Sequence, residues 1–171
     1  MSENLVYIGL INPKSPDNVG AVMRAAGCFR ADAVLYTGQR YATAAAFRTD
    51  TKDIARQIPL LGVDTLPEQL APGMQLVCVE FAEGAIPLPA FVHPAQVMYV
   101  FGPEDGSIDQ ALIDRADAVV YLPTVGCLNL AATVNVVLYD RLAKSTGSAA
   151  GDGLIRQSRD RNNRLRWRGE A

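Results

Sequence analysis

The sequence predicts an α/β protein: a mostly parallel sheet with helices on both faces. Three observations carry that reading. Five short runs, 5–11, 33–37, 75–81, 97–101 and 118–122, are apolar at most positions, as strands buried on both faces are. The stretches between several of them space their apolar residues as helices do. The two kinds of segment alternate along the chain, which is the pattern of a parallel sheet with crossover helices.

The first run, 5–11, ends in Asn12-Pro13-Lys14-Ser15-Pro16, whose two prolines break it. A helix over 18–29 follows, opening at Asp17 or Asn18. On a wheel of about 100° per residue, Val19, Val22, Met23 and Ala26 form one apolar stripe. Arg24 lies away from it, among Gly20, Ala21, Gly27 and Cys28. The strand 33–37 comes next, then a helix over 49–58 stopped by Pro59. The strands 75–81 and 97–101 precede a short helix over 108–115 and the strand 118–122. A long helix over 128–144 places Ala131, Val134, Leu138 and Leu142 near one face. Residues 147–153, GSAAGDG, form a flexible linker of small residues, and an arginine-rich tail follows it. The expected organisation is one domain over 1–146, with linker and tail over 147–171.

Length and composition narrow the function classes. A chain of 171 residues, 49% apolar and 20% charged, suits one globular domain with a real core. No apolar stretch reaches the roughly 18 residues that span a bilayer. No basic region precedes Leu5, so the start does not read as a secretory signal. The three cysteines, Cys28, Cys78 and Cys127, are far apart in apolar contexts, which fits reduced thiols and a cytoplasmic location. His93 is the sole histidine, so neither a zinc site nor a histidine-based triad is expected. The net charge of −2 argues against a generally sticky nucleic-acid binder. It hides an asymmetry: residues 156–171 carry six arginines against Asp160 and Glu170, a local +4, which leaves −6 on the rest. A basic tail on an acidic body suits a localised polyanion contact.

Gly84, Gly102-Pro103 and 123–126 each follow a predicted strand. In a parallel sheet all three lie at carboxyl ends, where open α/β sheets bind ligands. Neither G-x-G-x-x-G nor G-x-x-x-x-G-K-[ST] occurs. Each candidate has a bland alternative. Arg24 on its small-residue face suits close approach of a ligand or a second subunit, or plain solvation. Asn18 suits polar recognition or a helix N-cap. Glu104, after the strand ending Val100-Phe101-Gly102-Pro103, suits ligand binding or an ordinary acidic turn. Cys127 and Asn129 sit near a helix N-terminus, where free amides bind polar groups. With no histidine nearby as a base, a packing or ligand-lining thiol outweighs a nucleophile at Cys127. Arg48, Lys52 and Arg56 share one helical face, as a solvated face or a phosphate groove. Arg156, Arg159, Arg161, Arg164 and Arg166 carry the same two readings. Trp167 among them offers a stacking surface or anchors the tail. His93, before Pro94, reads as structural.

Taken together, these segments resemble the SpoU/TrmH family of RNA ribose 2′-O-methyltransferases, within the SPOUT superfamily. Asn18-Val19-Gly20-Ala21-x-x-Arg24-x-Ala26 resembles its first motif and Phe101-Gly102-Pro103-Glu104 its second. Leu122-Pro123 with Cys127-Leu128-Asn129-Leu130-Ala131 resembles its third, in matching order across residues 4–145. The resemblance implies a C-terminal deep trefoil knot and a homodimer with its active site at the subunit interface. It implies S-adenosyl-L-methionine as cofactor, held by Val79, Gly102, Leu122, Cys127, Leu128 and Asn129. Arg24 would be the catalytic arginine, reaching toward the cofactor of the other subunit, with Asn18 and Glu104 positioning it and the substrate. The leaving group is a neutral thioether, so no metal is implied. The third motif departs from the family pattern: only Thr124-Val125-Gly126 intervene before Cys127, which takes the usual serine's place. Minimal forms of the family typically act on tRNA, with the anticodon loop a suitable target, and the two basic segments would grip the RNA. The alternatives are an rRNA 2′-O-methyltransferase and a non-catalytic RNA-binding dimer of the same fold. A small α/β hydrolase or nucleotide binder is disfavoured, because no nucleophile–base pair is visible.

Overall fold

The computed structural model describes residues 4–45 and 58–169. The helix expected over 49–58 lies almost wholly outside them, and Arg48, Lys52 and Arg56 lie outside them too. The strands are β1 Leu5–Leu10, β2 Ala33–Tyr36, β3 Leu60–Gly62, β4 Gln75–Val79, β5 Ile86–Pro87, β6 Gln96–Phe101 and β7 Ala118–Tyr121. The helices are α1 Pro16–Cys28, α2 Arg40–Ala45, α3 Gln110–Arg115, α4 Leu130–Lys144 and α5 Asp152–Ser158. The strands form one seven-stranded sheet in the order β3-β2-β1-β6-β4-β7-β5, and every pairing is parallel.

Alternation along each strand sorts the core into two layers. Val6, Ile8 and Leu10 of β1 and Val97, Tyr99 and Phe101 of β6 pack with Val19, Val22 and Ala26 of α1 and Val134 and Leu138 of α4. Leu76, Cys78, Met98 and Val100 point the other way, onto Leu66, Ile108 and the partly buried Leu112 of α3. Gly9 of β1 also faces that side. A Cβ there would come within 2.9 Å of a Leu66 methyl carbon, so any larger residue would push the Leu66 side chain aside.

Several boundaries differ from expectation for visible reasons. α1 opens at Pro16, because Ser15 caps it by accepting from the Asn18 amide at 3.3 Å; proline at the first turn costs no hydrogen bond. β4 stops at Val79. The Glu80 amide still donates to the Val120 carbonyl, but the chain then folds into tight turns, Ala82 to Glu80 and Ala85 to Ala82. In α4 the buried positions are Leu130, Ala131, Val134, Val137 and Leu138, and Leu142 is exposed. β3, β5, α2 and α5 were not expected. β3 and β5 are the sheet's two edge strands, and an edge tolerates Pro87. The last two residues of the expected linker, Asp152 and Gly153, begin α5.

Register decides where the site forms. Leu10 pairs with Phe101, Phe101 with Val79, and Val79 with Val120. Four neighbouring strands therefore end in line, and their exits crowd one edge. β1 leads outward to β2 while β6 leads the other way to β7, so the order reverses between β1 and β6. Such a switch point opens the crevice in which open α/β sheets bind ligands.

Candidate active site

The exits of β4, β6 and β7 enclose a cavity of about 280 Å³, which Val79, Gly102, Leu122, Cys127, Leu128 and Asn129 all line. Asn18 and Glu104 line it as well. Eight of the nine residues proposed for cofactor and catalysis thus meet in one place, although they span positions 18 to 129. The volume stands at the lower edge of small-ligand clefts, roughly 300–1,000 Å³.

Glu104 is the hub of the rim. Its carboxylate accepts from the Lys14 amide at 2.9 Å, the Ser15 amide at 3.3 Å and the Asn18 Nδ2 at 3.2 Å. Burial alone pushes its pKa up. Hydrogen bonds from its own backbone, Lys14, Asn18 and Ser15 outweigh that and hold it below its ordinary value. The ionised form is therefore the one the rim is built around. Because Ser15 supplies the cap, the Asn18 side chain is free to make this contact.

Glu80, which the sequence reading did not single out, holds the other side. Its Oε2 accepts from the Ile108 amide at 3.0 Å and its Oε1 from the Phe81 amide at 2.9 Å. Gly102 lies beneath this clasp: an added Cβ would sit 3.3 Å from the Ile108 nitrogen and 3.4 Å from Glu80 Oε2. The loop after β7 lies open, with residues 123–129 exposed. Gly126 turns it at φ +94°, a conformation glycine adopts without strain. Asn129 caps α4, accepting from the Ala132 amide at 2.7 Å. Cys127 is exposed at the cavity, whereas Cys78 is buried beneath the sheet. Burial, with Glu80 and Asp109 nearby, pushes the Cys78 thiol up to about 12, so it is inert.

Arg24 is exposed on α1 and is not part of the cavity wall. Its neighbours on the small-residue face, Gly20, Ala21, Gly27 and Cys28, are exposed with it. A Cβ at Gly20 or Gly27 would meet nothing within 4 Å. In the tail, Arg156 faces Asp152 at 3.8 Å across one turn of α5. Arg159 donates to the Leu165 carbonyl and Arg164 to that of Arg161. These bonds curl the tail back after α5, with Arg166 exposed and Trp167 88% exposed.

His93 belongs elsewhere. It is enclosed between β6 and α4, with Nδ1 2.6 Å from the Tyr99 hydroxyl and Nε2 2.7 Å from Asp140 Oδ2. Arg141 can only donate, and it donates to that hydroxyl at 3.2 Å. The Asp140 carboxyl, held below its ordinary pKa, can only accept, so Nε2 carries the hydrogen; in the neutral ring Nδ1 then accepts from the Tyr99 hydroxyl. Burial lowers the His93 pKa despite Asp140, which matches this neutral tautomer. Among the described residues, no group of three or more His, Cys, Asp or Glu is placed to hold a metal ion. No helix among them is long and apolar enough to cross a membrane.

The fold and cleft define a class: an α/β protein with a cleft built from three loops at the carboxyl edge of a parallel sheet. Residues 5–139 match the profile of the SpoU rRNA Methylase family, and the chain belongs to that family. An uncharacterized tRNA/rRNA methyltransferase of Mycobacterium sp. (strain KMS) is 31% identical over 142 residues, covering 78% of this chain and 45% of that protein. The chain spans about half the length of the curated relatives it matches. Among solved structures, the SpoU methyltransferase AviRb from Streptomyces viridochromogenes, in complex with AdoMet, superposes with a TM-score of 0.68 at 20% identity. It covers 82% of this chain and 58% of that one. A structure described as giving insight into the 2-OH methylation of C/U34 on tRNA superposes at 0.69 with 19% identity, covering 82% and 91%. At these identities the likeness establishes the fold.

Proposed function

We propose that this chain is an S-adenosyl-L-methionine-dependent methyltransferase that modifies a ribose 2′-hydroxyl of tRNA, in the anticodon loop. The observation that carries this reading is the convergence of three motif loops on one cavity, with Asn18 and Glu104 at its rim. The near-complete overlap with a structure concerned with C/U34 of tRNA supports tRNA over rRNA.

The residues fit the cofactor. Val79, Leu122 and Leu128 supply apolar walls for an adenine ring, and Gly102 lets backbone approach closely. The carboxylates of Glu80 and Glu104 line the cleft and suit a cationic ligand. When bound, S-adenosyl-L-methionine would supply an electrophilic methyl group on a sulfonium. The protein's part is to place a 2′-oxygen in line with that methyl and stabilise the charge that develops as its proton leaves. Asn18 and Glu104 orient the ribose. Arg24 stabilises the oxyanion, because a guanidinium stays protonated and serves better as donor than as base.

Arg24 lies outside its own chain's cavity, so its role requires a homodimer that brings it to the partner's cleft. Two unpartnered faces support that assembly: the small-residue face of α1 and the exposed Val136 and Tyr139 of α4. The trefoil knot of the fold family is part of the same proposal. α4 runs back against the β5–β6 connection, where Lys144 donates to the Leu88 and Phe91 carbonyls and Arg141 to those of Pro94 and Ala95. The domain over 1–146, the RNA-gripping role of the tail and of 48–56, and a cytoplasmic location complete the reading.

Labelled S-adenosyl-L-methionine, offered with total tRNA and separately with rRNA from a strain lacking the gene, tests this by nucleoside mass spectrometry. A 2′-O-methylated nucleoside in the tRNA pool is expected. One confined to rRNA changes the substrate. No transfer, from a protein that binds the cofactor, favours a non-catalytic dimer. The exposed, shortened loop at 124–126 would then be the suspect.

A further inference from the structure

We infer that Arg40, at the start of α2, is a positioning residue that locks the substrate side of the cleft. Its guanidinium forks between two loops that meet at the switch point. Nε and Nη2 donate to the Asn12 carbonyl at 3.2 and 2.6 Å, while Nη1 and Nη2 donate to the Asp105 carboxylate at 2.7 and 2.9 Å. A planar fork satisfies a carbonyl and a carboxylate together; a lysine ammonium does so poorly.

The geometry around Asn12 shows a built latch. Asn12 holds φ +42°, a left-handed turn conformation that asparagine tolerates better than most residues with a side chain. Its amide donates to Thr37 Oγ1 at 3.2 Å. Gly38, at φ +79°, packs against the Asn12 side chain, and a Cβ there would collide with it. The β2–α2 turn is thus fitted to the β1–α1 loop, and Arg40 extends the grip to the loop after β6.

The loop after β6 is held from two sides by different residues. Glu80 grips Ile108 on the cofactor side. On the other side Arg40 grips Asp105, next to Glu104, which reaches Lys14, Ser15 and Asn18. Loss of Arg40 should loosen 12–18 and 103–106 and leave the Glu80 clasp in place. It would also leave Asp105 unpaired beside Glu104, so that a polyanionic substrate meets two adjacent carboxylates. The catalytic part of this inference rests on the proposed methyl transfer, whereas the latch itself does not.

The test compares Arg40→Ala, Arg40→Lys and Asp105→Asn with the wild-type protein. Single-turnover transfer to tRNA should fall by about 10- to 100-fold in Arg40→Ala, the scale of a misplaced reacting group. Cofactor affinity by calorimetry should change by less than about threefold. Arg40→Lys should recover only part of the loss. Hydrogen–deuterium exchange should rise at 12–18 and 103–106 but not at 77–81. Unchanged exchange, unchanged transfer, or a fall in cofactor affinity as large as the fall in rate would each overturn the inference. If Arg40→Ala does not fold, Asp105→Asn carries the same test with a smaller expected effect. If the wild-type protein transfers no methyl, the proposed function fails, and the exchange pattern still decides the latch.

Discussion

Two polar clusters are built against β6, and they use their charges in opposite ways. Toward the amino end, Tyr99, His93, Asp140, Arg141 and Lys144 close on one another between strand and helix. The His93 side chain is 5% exposed. Its two nitrogens face the Tyr99 hydroxyl and the Asp140 carboxylate, and Lys144 meets that carboxylate at 2.7 Å. At the carboxyl end, Glu104, Asn18 and Asp105 stand on loops around an open cleft, and Arg24 stands free of it. A histidine, an aspartate and a tyrosine within 3 Å look more like catalysis than a glutamate bonded to backbone amides. Satisfaction separates the two. The amino-end cluster pairs its donors and acceptors with its own neighbours around the enclosed His93, so it fastens α4 to the sheet. The open site keeps a cleft for a ligand.

The sharpest test of this contrast is Arg24→Ala. Removing one donor from a developing oxyanion costs about 100- to 1,000-fold in rate. Transfer should fall by that much while calorimetry shows cofactor affinity unchanged. Unaltered turnover would remove Arg24 from the chemistry. His93→Ala should do the reverse. It takes one partner from each neighbour, leaving the Tyr99 hydroxyl with Arg141 alone and Asp140 Oδ2 with Lys144 alone, at about 1–3 kcal/mol, so the thermal midpoint should drop by roughly 3–10 °C. Turnover per folded molecule should hold. A loss of activity without a loss of stability would make the cluster catalytic after all.

The buried histidine also sets a pH signature. Burial lowers its folded pKa, with Asp140, Arg141, Lys144 and Tyr99 around it. The unfolded chain therefore takes up a proton first, near pH 6.5. Stability should be level above that pH, fall as pH drops toward the lower folded value, and level off below it. This step should vanish in His93→Gln. The lowered carboxyls of Asp140 and Glu104 add a separate loss in the acid range, below the ordinary carboxylate value.

Smaller effects are expected outside both clusters. Deleting 154–171 should flatten the salt dependence of RNA binding by roughly 0.7–0.9 for each phosphate that the tail neutralises; an unaltered slope would make the tail structural. Cys127→Ser should change transfer by less than about threefold, since the exposed thiol has no base beside it. A severe loss would show that the short loop depends on that sulfur.

Much of the carboxyl-end site is legible in the chain because its parts are local signals. A strand, a Gly-Pro or Pro-Thr break and a helix start are each written within a dozen residues. That is why Gly102, Leu122 and Asn129, picked out from separate segments, line one cavity. Arg40 and Glu80 carry no such signal. Each is a single charge in an unremarkable segment, and its partner lies 65 or 28 positions away. His93 reads as structural from its loop before Pro94, but its partner Asp140 is 47 positions off.

By itself the sequence determined what near-neighbour chemistry controls. Apolar runs become strands, proline and capping residues start and stop helices, and three motifs stand in order with a basic tail after them. Only the tertiary structure decided that β6 inserts between β1 and β4, that β3 and β5 close the sheet edges, and that four strands end in line. The reason is physical. Strand order and register follow from the joint packing of both core layers, a property of the whole chain. Pairs such as Arg40 with Asp105, Glu104 with Lys14 and His93 with Asp140 exist only after that packing has brought distant segments together.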